Sequence, residues 1–159
     1  MFVRYFAELP FPLSTVEEAL LRAPEAWVPG LAQGAEHRGE ALLAEVGFGA
    51  EGRRVGRSVV IELGEPMRFP SRTVLPMTWR AASSESLFPT LDADLEVAVL
   101  GPNQTQLSVS ARYKPPLGAV GRAIDKTLLH RVAEATVKDF VDRTSEKLAH
   151  IVAGGVVSN

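Results

Sequence analysis

The chain has 159 residues, of which 46% are hydrophobic and 23% charged, and its formal net charge is -2. This is the size and composition of one globular domain, and the balance of charge argues against a broad nucleic-acid-binding face. The absence of cysteine excludes disulfides, thiolate nucleophiles and cysteine-based zinc sites. The N-terminus lacks the pattern of a signal peptide, and no stretch approaches the roughly 18 apolar residues of a membrane span. We therefore expect a cytoplasmic protein.

The chain begins with a predicted strand and a short helix. Residues 2–8 are aromatic and β-branched, which is typical of a β-strand. Ser14 and Glu17 have the spacing of a capping box, in which the first side chain caps a helix and the second reaches back to it. We therefore predict a short helix that Ser14 caps and that runs to about Arg22.

A second short helix is predicted around Trp27. Pro24 suits the first position of a helix, and residues 29–30, Pro-Gly, are typical of a helix end. Trp27 has two interpretations that the sequence leaves open. It closes the mouth of a pocket, or it anchors the two short helices on the sheet.

The middle of the chain alternates between apolar and polar residues, which is typical of strands buried on one face. The connections are short, so neighbouring strands should be antiparallel. Pro76 lies inside one of these segments and has no N–H to donate. That strand should therefore lie at an edge or, as we favour, bend or bulge at Pro76. The predicted strands cover residues 41–49, 57–63, 73–81, 91–100 and 107–113.

The last third of the chain changes to a helical period, with an apolar stripe opposite a charged one. A single helix over this length would be longer than a small domain, so we expect a break near Gly118 or Gly121. The main helix should then run from about Asp125 and end at residues 154–155, Gly-Gly.

These elements predict an α+β fold in the order β-α-α-β5/6-α. One antiparallel sheet should bury its apolar face on the long C-terminal helix. Residues 1–153 should form a single domain, and residues 154–159 should form a tail.

A segment at the start of the last third carries a family resemblance. Residues 113–125 read Tyr-Lys-Pro-Pro-Leu-Gly-Ala-Val-Gly-Arg-Ala-Ile-Asp, and His-Arg at 130–131 and Thr-Val-Lys-Asp-Phe at 136–140 follow. With the order of elements, this resembles the START-like, or Bet v 1-like, superfamily (SRPBCC), and within it an uncharacterised bacterial branch of polyketide cyclase/dehydrase-like proteins. The superfamily includes polyketide cyclases and aromatases, plant pathogenesis-related ligand binders and lipid-transfer domains. The resemblance implies a helix-grip fold, in which a curved sheet wraps the C-terminal helix around an internal cavity.

An apolar cavity between sheet and helix is the site that we predict. A curved sheet and a straight helix cannot touch everywhere, so side chains, water or a ligand must fill the space between them. Each residue in this set has the alternative of being plain core. The predicted lining consists of Phe48, Ile61, Leu75, Met77, Trp79, Leu95, Val97, Val109, Tyr113, Leu128 and Val132.

Two polar side chains are candidate contacts for a ligand. His130 lies at the border of the apolar face of the long helix and titrates near neutral pH, although a surface position is the alternative. Arg72, like Arg80, lies on the outward side of its strand by parity and would turn inward only if Pro76 shifts the register.

The predicted function is binding of a small hydrophobic molecule, such as a lipid, a polyketide or an isoprenoid-like compound. Two alternatives stay open: a polyketide cyclase or aromatase-like enzyme that uses the same cavity, and a ligandless protein-interaction domain. We expect no cofactor and no metal, because the three histidines are dispersed and show no metal-binding spacing. The sequence leaves the oligomeric state open between a monomer and a homodimer.

Overall fold

The computed structural model describes residues 2–45, 59–81, 90–114 and 126–157. Its order of elements confirms the predicted α+β class. The elements are β1 (Phe2–Leu9), α1 (Leu13–Leu21), α2 (Pro24–Glu45), β2 (Val59–Leu63), β3 (Met67–Phe69), β4 (Arg72–Ala81), β5 (Thr90–Gly101), β6 (Gln104–Lys114) and α3 (Lys126–Val157).

The strands form one antiparallel sheet in the order β1-β6-β5-β4-β2, and β3 also pairs with β4. The predicted strands after residue 57 are therefore confirmed where they are described. The three-residue strand β3 was not predicted, because so short a segment shows no alternation. Among the described residues, no helix is long and apolar enough to cross a membrane.

The sheet curves around α3. The Lys138 ammonium lies 5.4 Å from the centre of the Tyr5 ring on β1, while Phe140 packs edge-on against Trp79 on β4 with 5.1 Å between ring centres. Lys138 and Phe140 are two residues apart on α3, so their side chains point about 200° apart around the helix. Strands β1 and β4 are separated by three strand spacings, which would be roughly 14 Å in a flat sheet. Strands β1 and β4 thus contact opposite sides of one helical turn. The predicted helix-grip arrangement is confirmed.

Helix α2 differs most from the sequence prediction. It runs through the predicted end at residues 29–30, and it includes residues 41–45 of a predicted strand; the rest of that strand lies outside the described residues. The apolar positions Val28, Ala32 and Ala35 are buried at helical spacing. Because this stripe packs on the core, its burial outweighs the hydrogen bond that Pro29 removes from the helix.

The structure describes helix α3 from Lys126, next to the predicted start, and the helix continues to Val157. The prediction that residues 154–155 end it is therefore wrong. Gly154 has open space around its Cα, and two glycines weaken a helix without stopping it. The predicted break near Gly118 or Gly121 lies outside the described residues.

The predicted capping box of α1 is wrong. Pro12 occupies the N-cap position, no side chain caps the helix, and the Pro12 carbonyl accepts bonds from the N–H groups of Thr15 and Val16, both at 3.1 Å. The Glu17 carboxylate turns towards the sheet instead. It accepts hydrogen bonds from Arg68 Nη2 at 3.0 Å and from the hydroxyl of Thr73.

Replacing Glu17 with glutamine should lower the free energy of unfolding at neutral pH by about 1 kcal/mol. The hydrogen bond from Arg68, followed by the one from Thr73, lowers the pKa of Glu17. A lowered pKa stabilises the fold above the ordinary value of about 4.3 for glutamate, and this stabilisation is lost as the pH falls through the folded-state pKa. Urea denaturation at a series of pH values should show the difference from wild type vanish in acid.

The exposed neighbour Glu18 provides a control, since Glu18→Gln should change the free energy of unfolding little at any pH. A Glu17→Gln difference that persists unchanged in acid would contradict this account.

Pro76 lies in an interior strand, and its pairing with β5 continues through Asp94 without a shift. The edge position and the bulge are therefore wrong, while a bend of the strand at Pro76 stays a prediction. On the other side of β4, pairing changes from β2 to β3 around this residue, and the Gly64 N–H donates to the Pro76 carbonyl at 2.8 Å. The N–H and C=O of one strand residue point to the same side, so the missing donor faces the gap between the two partner strands.

Candidate functional site

The inner face of the sheet ends in a row of large apolar side chains. Ile61, Trp79, Leu91 and Tyr113 are paired in register across β2, β4, β5 and β6. The last three are buried, and Ile61 is partly buried against them. This row forms the edge of the core at the end of the sheet where α3 begins.

The next row inward is smaller at its centre. Met77 pairs with Ala93, Ala93 with Ala111, and Ala111 with Val3. Two alanines side by side on the central strands leave a depression between larger rows, which side chains of another layer or a ligand must fill.

The structure places most of the predicted cavity lining in one core cluster. Ile61 packs on the edge of this cluster, and Phe48 lies outside the described residues. Seven predicted lining residues are buried within this cluster, each at most 3% exposed: Leu75, Met77, Trp79, Leu95, Val97, Val109 and Tyr113.

The other two predicted residues, Leu128 and Val132, belong to a second cluster. Here Val132 and Leu129 of α3 pack with Leu43 of α2, and Leu42 and Leu128 lie against them. In the described part of the chain this cluster is distinct from the main core. The first turns of α3 thus direct their apolar side chains to α2.

A hydrogen bond joins the sheet to the beginning of α3 beside this second cluster. The Tyr113 hydroxyl lies 2.7 Å from Nδ1 of His130, and the tyrosine is 2% exposed. On its other side, His130 Nε2 lies 3.7 Å from a carboxylate oxygen of Glu134. Burial raises the pKa of the Tyr113 phenol, and Glu134 raises it further, so the hydroxyl keeps its proton at neutral pH. The sequence named both Tyr113 and His130 as site residues, and the fold brings them together.

Arg72 does not face the interior. Its guanidinium lies 3.6 Å from the Glu96 carboxylate on the outer face of the sheet, and Arg80 pairs there with Glu62 at 2.9 Å. Because the register of β4 is not shifted at Pro76, parity keeps both arginines outside. The interpretation of Arg72 as a ligand contact is therefore wrong.

Trp27 has contacts that are compatible with the anchoring interpretation. It lies in the first turn of α2, partly buried against the main core, and its indole N–H donates to the carbonyl of Arg22 at 3.3 Å. Leu43, which packs beside α3 near His130, is 16 residues further along the helix, or about 24 Å. Trp27 is thus distant from Tyr113 and His130, and its interpretation as the mouth of a pocket stays a prediction.

Glu36 is a buried residue that sequence reasoning missed, because the predicted helix ended at residues 29–30 and left residue 36 outside it. It is 1% exposed on the core-facing side of α2, next to Ala35. The helical spacing of residues 28, 32 and 35–36 could have indicated that Glu36 faces the core. The predicted helix end at residues 29–30 hid this pattern. Buried carboxylates require polar partners, so this part of the interior is not purely apolar.

The described pockets open on the outside of the molecule. One of about 430 Å³ crosses the outer face of the sheet between acidic side chains such as Asp92 and Asp94. Another of about 390 Å³ lies beside α3 and β1, between Tyr5 and Arg131. Neither is bordered by Tyr113 or His130, so the cavity under α3 stays a prediction. Among the described residues, no three acidic or histidine side chains lie together as metal ligands would.

Comparisons with known proteins give structural neighbours only. No protein-family model and no curated protein matches the chain. A conserved protein from Geobacillus kaustophilus is 14% identical, with 92% of this chain and 94% of that chain covered and a TM-score of 0.49. The Zhui aromatase/cyclase from Streptomyces sp. R1128 is 10% identical, with 93% and 95% covered and a TM-score of 0.38. Ara h 8.0201 is 12% identical, with 100% and 99% covered and a TM-score of 0.40. At such identities we derive the function of this chain from its own residues.

Proposed function

We propose that this protein binds a small hydrophobic molecule, such as a lipid, a polyketide or an isoprenoid-like compound, between the inner face of the sheet and the first turns of α3. The observation that carries the proposal is the hydrogen bond between Tyr113, which is buried, and His130, whose side chain is 43% exposed. Tyr113 belongs to the main core, and His130 follows Leu129 of the second cluster. The ligand would lie where these two apolar clusters face each other.

Apolar contact would supply most of the affinity. The contacts on the sheet side would come from the row that contains Ile61, Trp79 and Leu91. The contacts on the helix side would come from the second cluster, in which Leu129 and Val132 pack with Leu43 of α2. A ligand that buries roughly 200 Å² of apolar surface there would gain about 5 kcal/mol before the cost of association. The alanine pair of the next row, Ala93 and Ala111, provides depth for such a ligand.

The Tyr113–His130 pair would hold the polar end of the ligand. The Tyr113 hydroxyl costs free energy when it leaves water, and phenylalanine would pack at this position without that cost. His130, whose side chain is 43% exposed, connects this hydroxyl to the surface. Binding pockets for small molecules are typically apolar with a few placed polar groups. A polar pair between two apolar clusters fits that description better than it fits a plain core.

Ile61→Trp should weaken binding of the apolar fluorophore N-phenyl-1-naphthylamine about tenfold or more, because the larger ring fills the space beside Trp79. The matched control is Val60→Trp, since Val60 is the preceding residue on β2, is 42% exposed and faces outward; it should bind the fluorophore like wild type. Titration followed by fluorescence measures both.

Equal affinity of the Ile61→Trp and Val60→Trp variants would contradict the placement of the ligand. Wild-type protein that binds no fluorophore, and that carries no small molecule in a mass spectrum of its organic extract, would contradict the proposed function itself. That outcome would favour the ligandless interaction domain.

A cyclase-like enzyme is the second candidate, and the order Tyr113, His130, Glu134 favours it. A hydroxyl, an imidazole and a carboxylate in succession can pass a proton between a buried substrate and solvent. Turnover of a poly-β-ketone surrogate that His130→Ala abolishes, with fluorophore binding retained, would support catalysis over binding alone.

A further inference from the structure

We infer that two copies of this protein associate through the β1 edge of the sheet, with their β1 strands paired antiparallel about a two-fold axis at Phe6. Within the described part of the chain, β1 pairs with β6 alone and so lies at the end of the sheet. The free side of an edge strand presents backbone N–H and C=O groups that can pair with another strand. On its inner side, β1 borders an open groove of about 390 Å³ at Val3, Arg4 and Tyr5, so this part of the edge is accessible.

Strand β1 itself lacks the features by which edge strands avoid such pairing. It is 8 residues long and contains no proline. Its register with β6 is regular from Phe2 to Leu9, so no bulge twists the strand away from a partner. On its outer face, Phe2 and Phe6 are 56% and 50% exposed. Apolar side chains exposed together on an edge strand favour contact with another protein surface.

The charges of β1 select a second copy as the partner. Arg4 and Glu8 are exposed on the outer face, each two residues from Phe6. In an antiparallel pair centred on Phe6, Arg4 lies opposite the partner's Glu8, and the two-fold symmetry produces this pair twice. Phe6 lies opposite the partner's Phe6 at the axis. Opposite charges and aromatic rings directly across a strand pair stabilise the pairing.

No other register of two β1 strands has these pairs. Inner side chains must meet inner side chains, so the axis passes through a residue. An axis at Arg4 or at Glu8 places like charges opposite each other, and an axis at Tyr5 or Ala7 leaves both charges without an opposite charge. The axis at Phe6 also places Tyr5, the largest inner side chain of β1, opposite the partner's Ala7, the smallest. Charge and side-chain size therefore favour the same register.

Sedimentation equilibrium at neutral pH and low salt tests the charge pairs. Wild-type protein should form a dimer at about 100 µM. Arg4→Glu and Glu8→Arg should each weaken the dimer at least about tenfold, because each places like charges opposite each other at two symmetric positions. The double variant Arg4→Glu/Glu8→Arg restores opposite charges and should recover the wild-type dimer. The matched control is Arg112→Glu, which makes the same change of charge on the outer face but on β6, and it should leave the dimer unchanged.

Crosslinking tests the register, because the chain contains no cysteine. In Phe6→Cys, the two Cα atoms across the axis would be about 5 Å apart, which suits a disulfide. In the control Phe2→Cys, the two cysteines would be eight residues apart along the paired strands, or about 27 Å. Oxidation followed by non-reducing electrophoresis should therefore show a covalent dimer for Phe6→Cys and none for Phe2→Cys.

Four results would overturn the inference. They are wild-type protein that stays monomeric at about 100 µM, a dimer that neither single charge change weakens, a double variant that does not recover the dimer, and equal crosslinking of Phe6→Cys and Phe2→Cys. A monomer would leave the β1 edge to a strand of another protein. The crosslinking changes neither Arg4 nor Glu8, so it decides the register even where a charge change disturbs the fold.

Discussion

Trp79→Ala should lower the free energy of unfolding by about 3–5 kcal/mol, the range for large-to-small replacements of buried aromatic residues. Trp79 is 1% exposed, and its ring meets Phe140 edge-on with 5.1 Å between centres. Its removal would leave a cavity and would also delete the contact through which β4 holds α3. Guanidinium denaturation followed by far-ultraviolet circular dichroism, which does not depend on the lost fluorophore, measures the effect.

The adjacent residue Arg80 provides the control for this measurement. It lies on the outer face of the same strand, where its ion pair with Glu62 is exposed, and exposed pairs contribute less than about 1 kcal/mol. Arg80→Ala should therefore change the free energy of unfolding little. If Trp79→Ala and Arg80→Ala lowered the free energy of unfolding by similar amounts, the contact between β4 and α3 would not depend on Trp79.

Pro29→Ala should raise the free energy of unfolding by about 2 kcal/mol. Proline in a helix interior is about 3 kcal/mol less favourable than alanine, and the greater entropy of the unfolded alanine chain offsets up to about 1 kcal/mol of the gain. Pro29 lies inside α2, whereas Pro24 begins it, at a position where proline is well tolerated. Thermal and urea denaturation of both variants should show a gain for Pro29→Ala and none for Pro24→Ala. A loss for Pro29→Ala would mean that the helix does not continue through this residue.

Strands β4, β5 and β6 and the body of α3 could be predicted from the sequence because each buries one face against the same core. Along β6, for example, Leu107, Val109 and Ala111 are buried, and their spacing of two is visible without any structure. Helix α2 could not be predicted in full. Its last five residues, 41–45, were assigned to a strand because Leu42 and Ala44 alternate with other residues, and the stripe that makes α2 helical is interrupted by Pro29.

For the candidate site too, local sequence patterns identified single residues but could not predict the contacts between them. Side-chain chemistry and parity were enough to select Tyr113 and His130 separately. Their hydrogen bond depends on how α3 starts above the end of β6, which no local pattern encodes. Glu17 illustrates the converse, because its spacing from Ser14 predicted a local cap, whereas the residue binds Arg68 and Thr73 from another layer.

The placement of the ligand is tested most directly by the two tryptophans of the chain, which lie at different ends of the interior. The heavy bromine atom of 12-bromo-1-dodecanol quenches an indole on contact, and 1-dodecanol serves as the unbrominated reference. In Trp27→Phe, which retains Trp79, the brominated alcohol should quench the fluorescence at concentrations that displace N-phenyl-1-naphthylamine. In Trp79→Phe, which retains Trp27, it should not. Quenching of Trp27 alone, or of neither indole while the fluorophore is displaced, would contradict a ligand held between the sheet and the start of α3.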